Sequence, residues 1–362
     1  MAKYTVLVTG GNGCLGQHIV RLLQEKADFV THIKVLDLRR FSNQLNYRGR
    51  KPVEAFVGDV LDEEVIESAT NGVDCVIHVA SVVDARMFPN EANLYKVNVT
   101  GTEKLLQVCI RQNVRGFVYC SSQSVVMGYE DLIDSDETLG IPKKFLFGPY
   151  GVTKHLAEQV VESQNGASLP DGGRMQTLSL RPVTMYGELD FNVVPHILQF
   201  ANQLGGTIIP FAHGTTQAAY VGNVAWGFVC AVKAVRENSD LGGETFFMCD
   251  DTPMTNIFQF FDPFLKSCGF KLLPFTLPYW LTYLAAVLFI WIAWIVSPIF
   301  EINSNFTPSS VRFINMRMNS VYSKATKMLK YTPLYSHEES LRRSIQYYRQ
   351  PTIWSKHAKH QG

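Results

Sequence analysis

The chain opens with a short β-favouring apolar run, Tyr4 to Val8, which ends in glycines and gives way to a helical pattern from Gln17 to Glu25. The alternation then recurs. His32 to Leu36, Val53 to Val57, Asp74 to Val79 and Gly116 to Cys120 read as compact, largely apolar strands, with helical periodicity between them at 62–69 and 91–112. Strands of this kind belong to a parallel sheet covered by helices on both faces. The predicted fold class is therefore α/β, a Rossmann-type doubly wound parallel sheet whose ligand crevice lies outside the carboxyl ends of its strands.

One segment breaks the alternation. LPYWLTYLAAVLFIWIAWIV, residues 277–296, is apolar on every face, and no charged residue occurs between Lys271 and Glu301. Twenty helical residues span about 30 Å, the thickness of a hydrocarbon core. Ten of these twenty are Leu, Ile, Val or Phe, which together favour insertion by roughly 3 to 6 kcal/mol. Pro278 suits a first helical turn and Pro298 a stop. Tyr279 and Trp280 resemble interfacial anchors, although Trp291 and Trp294 lie deeper than a simple aromatic belt would place them.

At 362 residues the chain has room for one large α/β domain with a smaller lobe. The expected organisation is a dinucleotide-binding core over 1–182, a substrate lobe over 183–271, a membrane-associated helix over 272–300, and a closing segment with tail over 301–362. Charged residues are 18% of the chain and the net charge is +1, so no field exists to recruit nucleic acid. Seven scattered cysteines without a C-x-x-C pair suit reduced thiols in a cytosol-facing domain. The histidines lack ligand spacing, and no metal site is expected.

The first strand runs into Thr9-Gly-Gly-Asn-Gly-Cys-Leu-Gly16 and then a helix, the context a dinucleotide site requires. Gly10 permits the tight turn, Gly13 lets the backbone approach a pyrophosphate, and Gly16 lets the helix pack on the strand. Phosphates would then sit over the positive end of the helix. Asp37 ends the second strand 21 residues after Gly16, close to the spacing at which a carboxylate meets the ribose 2′-hydroxyl. Its charge would repel a 2′-phosphate, which favours NAD, whereas Arg39 and Arg40 directly after it could accommodate one. A solvated strand end is the plainer alternative for Asp37.

Further along, Ser121-Ser122 follow the fifth strand, and Tyr150-Gly-Val-Thr-Lys154 opens a helix. Tyrosine and lysine at i and i+4 share a helix face, so the ammonium is expected to lower the phenol's pKa toward working pH. With Ser122 positioning a substrate oxygen, this makes a general base beside a hydride acceptor. In isolation a Y-x-x-x-K pattern is common on surface helices. After a glycine turn and a strand-end serine it becomes specific.

Here the chain resembles the extended short-chain dehydrogenase/reductase superfamily, on TGGNGCLG, GDV at 58–60, HVA at 78–80, VNVTGT at 97–102, YCSS at 119–122, YGVTK and RPVTMYG at 181–187. Within it, the chain is similar to the 3β-hydroxysteroid dehydrogenase/Δ5-Δ4 isomerase family, on VLD at 35–37, Tyr220-Val-Gly-Asn-Val-Ala-Trp226, Asp250-Asp251-Thr-Pro253 and the apolar segment near 280. The resemblance implies Tyr150 as catalytic acid/base, Lys154 on the nicotinamide ribose, Ser122 on the substrate oxygen and Asn98 supporting the lysine through water. It further implies Asp59 and Val60 at the adenine, Ala80 at the middle of the cofactor, and Cys14, Leu15 and Pro182 among the remaining cofactor contacts. The stretch Gln123 to Gly128 departs from the vertebrate steroid enzymes, so Ser124 is a second candidate for the serine role. Asp250 or Asp251 would be candidates for an isomerase proton transfer, with a capped turn as the alternative.

In the lobe from Val183 to Leu265, Lys233 and Arg236 are the only Lys or Arg residues, while Phe191, Phe200, Phe211, Trp226, Phe228, Phe246 and Phe247 are aromatic. A nucleotide sugar carries a second pyrophosphate that needs cations from this lobe. An apolar alcohol fits better. The expected function is NAD-dependent oxidation of the 3β-hydroxyl of a sterol or steroid, with Δ5-Δ4 isomerisation as a further step. The alternatives are a decarboxylating sterol-4-carboxylate dehydrogenase and a catalytically silent NAD-binding membrane scaffold.

A single crossing by 277–296 would separate the closing segment, Lys324 to Leu334 and Glu338 to Tyr348, from its docking surface. The expected arrangement is therefore an anchor in one leaflet of the endoplasmic reticulum membrane, with the catalytic domain in the cytosol. The sequon Asn305-Phe-Thr307 reports on this, since glycosylation there would place the tail in the lumen. Helices at 91–112 and 155–162 would build the superfamily's usual homodimer interface.

Overall fold

The computed structural model describes residues 3–238, 241–297, 299–300 and 302–355. Seven parallel strands form its central sheet: β1 (Thr5–Thr9), β2 (His32–Asp37), β3 (Val53–Val57), β4 (Cys75–His78), β5 (Gly116–Cys120), β6 (Gln176–Pro182) and β7 (Thr245–Met248). Their order is β7-β6-β5-β4-β1-β2-β3. The winding reverses between β1 and β4, which is where a crevice opens at the carboxyl ends of a doubly wound sheet. The first five strands fall where the apolar runs predict them. The seventh is contributed by the stretch after residue 183 and extends the same sheet.

Helices cover both faces, as the two-sided burial of β1 requires. On one side α1 (Cys14–Lys26) packs with α7 (Val221–Glu237) through Ile19, Leu23 and Phe228. On the other, α2 (Glu63–Thr70), α4 (Gly101–Arg111) and α5 (Pro149–Ser163) bury Ile66, Leu105, Leu106 and Ala157 against Phe117. The helix expected over 91–112 is interrupted: α3 (Glu91–Tyr95) passes into a π-helical turn, Lys96–Thr100, before α4 begins. A π turn takes up one extra residue, so Leu94 and Leu105 both reach the core while Asn98 between them is also buried. Side-chain periodicity carries no trace of such an insertion.

The second lobe contains α6 (Val194–Gln203) and α8 (Ile257–Ser267), and is followed by α9 (Tyr279–Val296). Thr282, Ala286 and Ala293 are the buried residues of α9. At 100° per residue they fall within about 40° of one another, so a narrow stripe of small residues rests on the body. Opposite it, Trp280, Leu288, Trp291, Trp294 and Ile295 are more than half exposed. The proposed stop, Pro298, lies outside the described residues.

The chain then returns to the catalytic body. Asn303 brackets Phe88, its Oδ1 accepting from Phe88 N–H at 3.1 Å and its Nδ2 donating to Phe88 O at 3.0 Å. Met87 N–H donates to Ser304 O at 2.9 Å. Next come α10 (Pro308–Phe313), α11 (Ser323–Leu329), α12 (His337–Tyr348) and α13 (Pro351–Ser355). Between them Arg317–Ser320 pairs with Leu132–Ser135 and with 215–216 in a small parallel ribbon. Tyr331 donates to Cys249 O at 3.0 Å, and the Tyr348 hydroxyl lies 2.7 Å from Gly187 O and 2.6 Å from Asp190 O. The segment after α9 thus packs on the same body as the central sheet.

Candidate active site

The three glycines of the first turn have separable roles. Gly10 has φ +70°, and a Cβ there would lie 2.8 Å from the backbone of Ala80, so the turn needs glycine for both conformation and space. A Cβ on Gly16 would lie 2.2 Å from Gly10 O, so this position sets how closely α1 packs on the turn. Gly13 is open, meeting only Gly10 O at 3.2 Å, and it faces the crevice. A bare backbone at the amino end of α1 fits a pyrophosphate.

From Gly13 two connected hollows extend. One, of about 280 Å³, is lined by Gly10, Asp37, Arg39, Asp59, Val60 and Ala80, among others. Asp37 stands at the end of β2, with Oδ2 accepting from Asn12 N–H at 2.9 Å and Oδ1 from Arg39 N–H at 3.1 Å. Its carboxylate is fixed at the wall where an adenosine ribose would lie. This shape and polarity fit a dinucleotide with a free 2′-hydroxyl, and of the two arginines that could suit a 2′-phosphate Arg39 lines the hollow.

The other hollow, of about 530 Å³, contains Cys14, Leu15, Ser122, Ser124, Tyr150, Lys154 and Pro182 in its walls. Proline at the first turn and Gly148 at φ +47° start α5 so that Tyr150 enters the cavity one residue after Pro149. The helix is held by a buried bidentate ion pair, Arg181 of β6 to Glu158. Lys154 is buried, donates to Cys120 O at 2.5 Å and sits 4.4 Å from the centroid of the Tyr119 ring. Burial lowers its pKa to about 8, with Cys120 and Glu158 pulling back.

The phenol departs from expectation. Burial pushes the Tyr150 pKa up to about 12, against a lowering hydrogen bond with Ser122. The lysine shares its helix face but is directed to the Cys120 carbonyl, so in the chain alone it does not offset the desolvation of the phenolate. A cation at the cofactor site would act in the lowering direction.

Ser122 is thus the tyrosine's partner. Ser124, the second candidate, lines the same cavity with a buried hydroxyl that has no protein partner. Asn98 lines neither hollow. Its side chain brackets Val82, accepting from Val82 N–H at 2.8 Å and donating to Val82 O at 3.0 Å, and it donates to Thr153 Oγ1 at 3.3 Å. It therefore ties the loop after β4 to the helix turn between Tyr150 and Lys154.

The acidic pair is a correction. Asp250 is buried away from the cavity, where its carboxylate accepts from Tyr220 N–H, Asn223 Nδ2 and Thr252 N–H. Asp251 accepts from the Tyr322 hydroxyl at 2.6 Å. The capped-turn alternative describes Asp250, whose two oxygens are both occupied by the fold, while Asp251 is exposed, and neither lines the cavity.

Among the wall residues that the sequence reading did not single out, three are informative. Asp190 lines the cavity while capping α6 through the amides of Asn192, Val193 and Val194, and burial raises its pKa to about 6. Its signal was an acidic residue just before an apolar helix. Val82 adjoins the HVA motif, but its side-chain clamp depends on the π turn. Phe313 comes from the closing segment, and nothing local marks it as a wall. Of the seven lobe aromatics, Phe191 lines the cavity and Phe228, Phe246 and Phe247 are fully buried core. A further hollow of about 710 Å³, lined by Tyr4, Asp74, Arg115 and Gln176, lies at the amino ends of the strands, opposite the crevice.

Residues 7–278 match the 3-beta hydroxysteroid dehydrogenase/isomerase family. The chain belongs to this family. Among its relatives, the mouse (Mus musculus) 3 beta-hydroxysteroid dehydrogenase type 7 is 32% identical over 353 residues, covering 94% of each chain. Solved structures with the same fold include the epimerase Mth375 of Methanothermobacter thermautotrophicus (TM-score 0.70, 21% identity, 99% of this chain and 95% of that one). DesIV, the dTDP-glucose 4,6-dehydratase of Streptomyces venezuelae solved with NAD, also matches (TM-score 0.70, 19% identity, 97% and 98%). Membership makes this chain an oxidoreductase of the 3-beta hydroxysteroid dehydrogenase type. These two solved neighbours share its fold.

Proposed function

We propose that the protein oxidises the 3β-hydroxyl of a sterol or steroid to the 3-ketone with NAD as cofactor, at the cytosolic face of the endoplasmic reticulum membrane. The cavity carries this reading. Val79, Val83, Ala85, Met127, Phe147 and Phe313 give it apolar walls, and the only charged side chains among its described lining residues are Lys154 and Asp190. An apolar alcohol can fill such a space, whereas a nucleotide sugar would leave its second pyrophosphate without a cation.

Gly13 and the amino end of α1 would hold NAD, which would supply the hydride acceptor for the carbinol carbon. The chain supplies the rest. Ser122 holds the hydroxyl oxygen, Tyr150 receives the hydroxyl proton, and Lys154 supplies positive charge beside the cofactor ribose. The apolar walls exclude water from the reacting carbon. For the decarboxylating alternative, a 4-carboxylate would require a cation, and Lys154 is the one available.

The helix α9 supports association with lipid. It is the one described helix long and apolar enough to cross a membrane. Its small-residue stripe spans 282 to 293, about 16 Å of helix, and lies against the body. With the chain fastened again at Asn303 and Ser304, this geometry favours an anchor in one leaflet. Asn305 is exposed, so its glycosylation state in cells reports the side directly.

The decisive assay follows NADH formation by purified enzyme with 3β-hydroxysteroids and with sterol 4-carboxylates. Tyr150→Phe is expected to lower kcat by about 10² to 10⁴ with NAD binding retained. Full NADH-forming activity in that variant would sink the catalytic role of Tyr150, and a wild-type protein that binds NAD yet forms no NADH with either substrate class would favour the silent scaffold. CO2 release from the carboxylates, with no oxidation of simple 3β-hydroxysteroids, would transfer the assignment to the decarboxylating alternative.

A further inference from the structure

At the reversal of the sheet a line of buried polar groups connects two regions that the reaction needs in register. Thr9 ends β1, His78 ends β4 directly beside it, and Thr102 lies on α4. Thr9 Oγ1 is 2.7 Å from His78 Nδ1, and His78 Nε2 is 3.0 Å from Thr102 Oγ1. Thr9 Oγ1 also accepts from Ala80 N–H at 3.3 Å, and Thr102 Oγ1 donates to Asn98 O at 2.7 Å. Thr9, His78, Thr102 and Asn98 are each at most 1% exposed.

The direction of every hydrogen bond follows from its ends. Asn98 O can only accept, so the Thr102 hydroxyl proton points to it and the Thr102 oxygen must receive from His78. His78 therefore carries its proton on Nε2, and Nδ1 accepts from Thr9. Ala80 N–H can only donate, which agrees with Thr9 having turned its own proton toward the imidazole. Burial, and the charge of Lys154, hold the imidazole far below its ordinary pKa, to about 3. The ring keeps one proton and one orientation throughout the working range.

We propose that His78 is a positioning residue that couples the cofactor-facing loop 79–82 to the helix turn carrying Asn98. At one end the chain fixes Ala80, whose backbone is pressed against Gly10 and lines the adenosine hollow. At the other it fixes the π turn, from which Asn98 reaches back to bracket Val82 and across to Thr153 on α5. Loop 79–82 is thus held from both sides, by Thr9 at Ala80 and by Asn98 at Val82. Cofactor affinity is the property this arrangement controls, because Val79, Ala80, Ser81 and Val82 all line the cofactor hollows. The inference rests on NAD being the cofactor and is independent of which alcohol is oxidised.

The test uses the full-length protein in detergent and measures NAD and NADH affinity by fluorescence titration without substrate, alongside Tm. Thr102→Val is the informative variant, since Thr102 lines neither hollow and valine keeps its shape. Its NAD Kd is expected to rise about tenfold, which corresponds to about 1.4 kcal/mol, while Thr102→Ser stays within about threefold of wild type. Thr177→Val, at another buried threonine whose hydroxyl takes no part in this chain of bonds, is the control expected to move Tm alone. Imidazole nitrogen NMR should show His78 as the neutral Nε2–H tautomer. A Thr102→Val variant with unchanged Kd and a lowered Tm would reduce the network to ordinary core structure and overturn the proposal, as would an Nδ1–H or charged His78. A protein that binds NAD as described but oxidises no sterol would defeat the substrate assignment and leave this inference standing.

Discussion

Helices α5 and α9 reverse the usual relation between composition and burial. Helix α5 is mixed in character and carries Lys154 and Glu158, yet both are buried, and its start is fixed by proline and glycine and its middle by an ion pair to β6. Helix α9 contains no charged residue, yet it buries only Thr282, Ala286 and Ala293. In water the second arrangement would leave a large apolar face exposed, and faces of that size on monomeric proteins mark an interaction surface. On the anchor proposed above, the difference would amount to two solvents for one chain. Protein surrounds α5, and lipid would cover the outer face of α9.

Breaking α5 should produce the largest effect. Arg181→Met leaves Glu158 as a buried carboxylate without its partner, and loss of one member of such a pair costs about 3 to 5 kcal/mol. Chemical denaturation in detergent should show that loss, and activity should fall with it, because the same helix sets Tyr150 and Lys154. If Arg181→Met unfolds at the wild-type denaturant concentration, the pair is not what holds α5, and the contrast with α9 weakens.

An intermediate effect is expected on α9, and it should appear in a different measurement. Leu288→Arg places a charge on the exposed face, where an arginine at the centre of an inserted helix costs roughly 2.5 to 3.5 kcal/mol. Vesicle flotation should register that as about a hundredfold weaker partitioning. Unfolding in detergent should change by less than about 0.5 kcal/mol, as for other exposed substitutions. Equal loss of fold stability and membrane binding would show that α9 packs as core.

The sequence disclosed these two helices unequally. Helix α5 was legible through its chemistry, Tyr150 and Lys154 at i and i+4, and the glycine turn at Gly10, Gly13 and Gly16 was legible through its spacing. Both signals are local, contained within one turn of structure. The length of α9 was equally plain, but which stripe faced the body depended on Asn303, Ser304 and α10 folding back, a long-range matter. The same limit explains the remaining misses. Phe313 reaches the cavity from a distant element, and the π turn that aims Asn98 leaves the pattern of apolar positions intact. The lysine's failure to lower the tyrosine pKa is a matter of side-chain direction, since Lys154 Nζ is directed at Cys120 O. Spacing places two residues on a face and does not aim their ends.

The smallest expected effect concerns that lysine and separates the helices by pH. Burial depresses the folded-state pKa of Lys154 to about 8 from its ordinary 10.5. Between these values the unfolded chain binds more protons than the folded one, so stability rises with pH across the window. Below about 8 both states are protonated and the full desolvation cost is present. Lys154→Met removes the titrating group. The wild type should therefore be less stable than the variant near neutral pH, and the gap should narrow from about pH 8 upward by at most about 1.4 kcal/mol per pH unit. The raised Tyr150 pKa acts in a separate window, above about 10, and with the opposite sign. Charge-free α9 offers the control, since Leu288→Ala should give a stability difference that is flat over the same range. A flat difference for Lys154→Met as well would mean that the ammonium is solvated in the folded protein. Helix α5 would then lose the buried charge that sets it apart from α9.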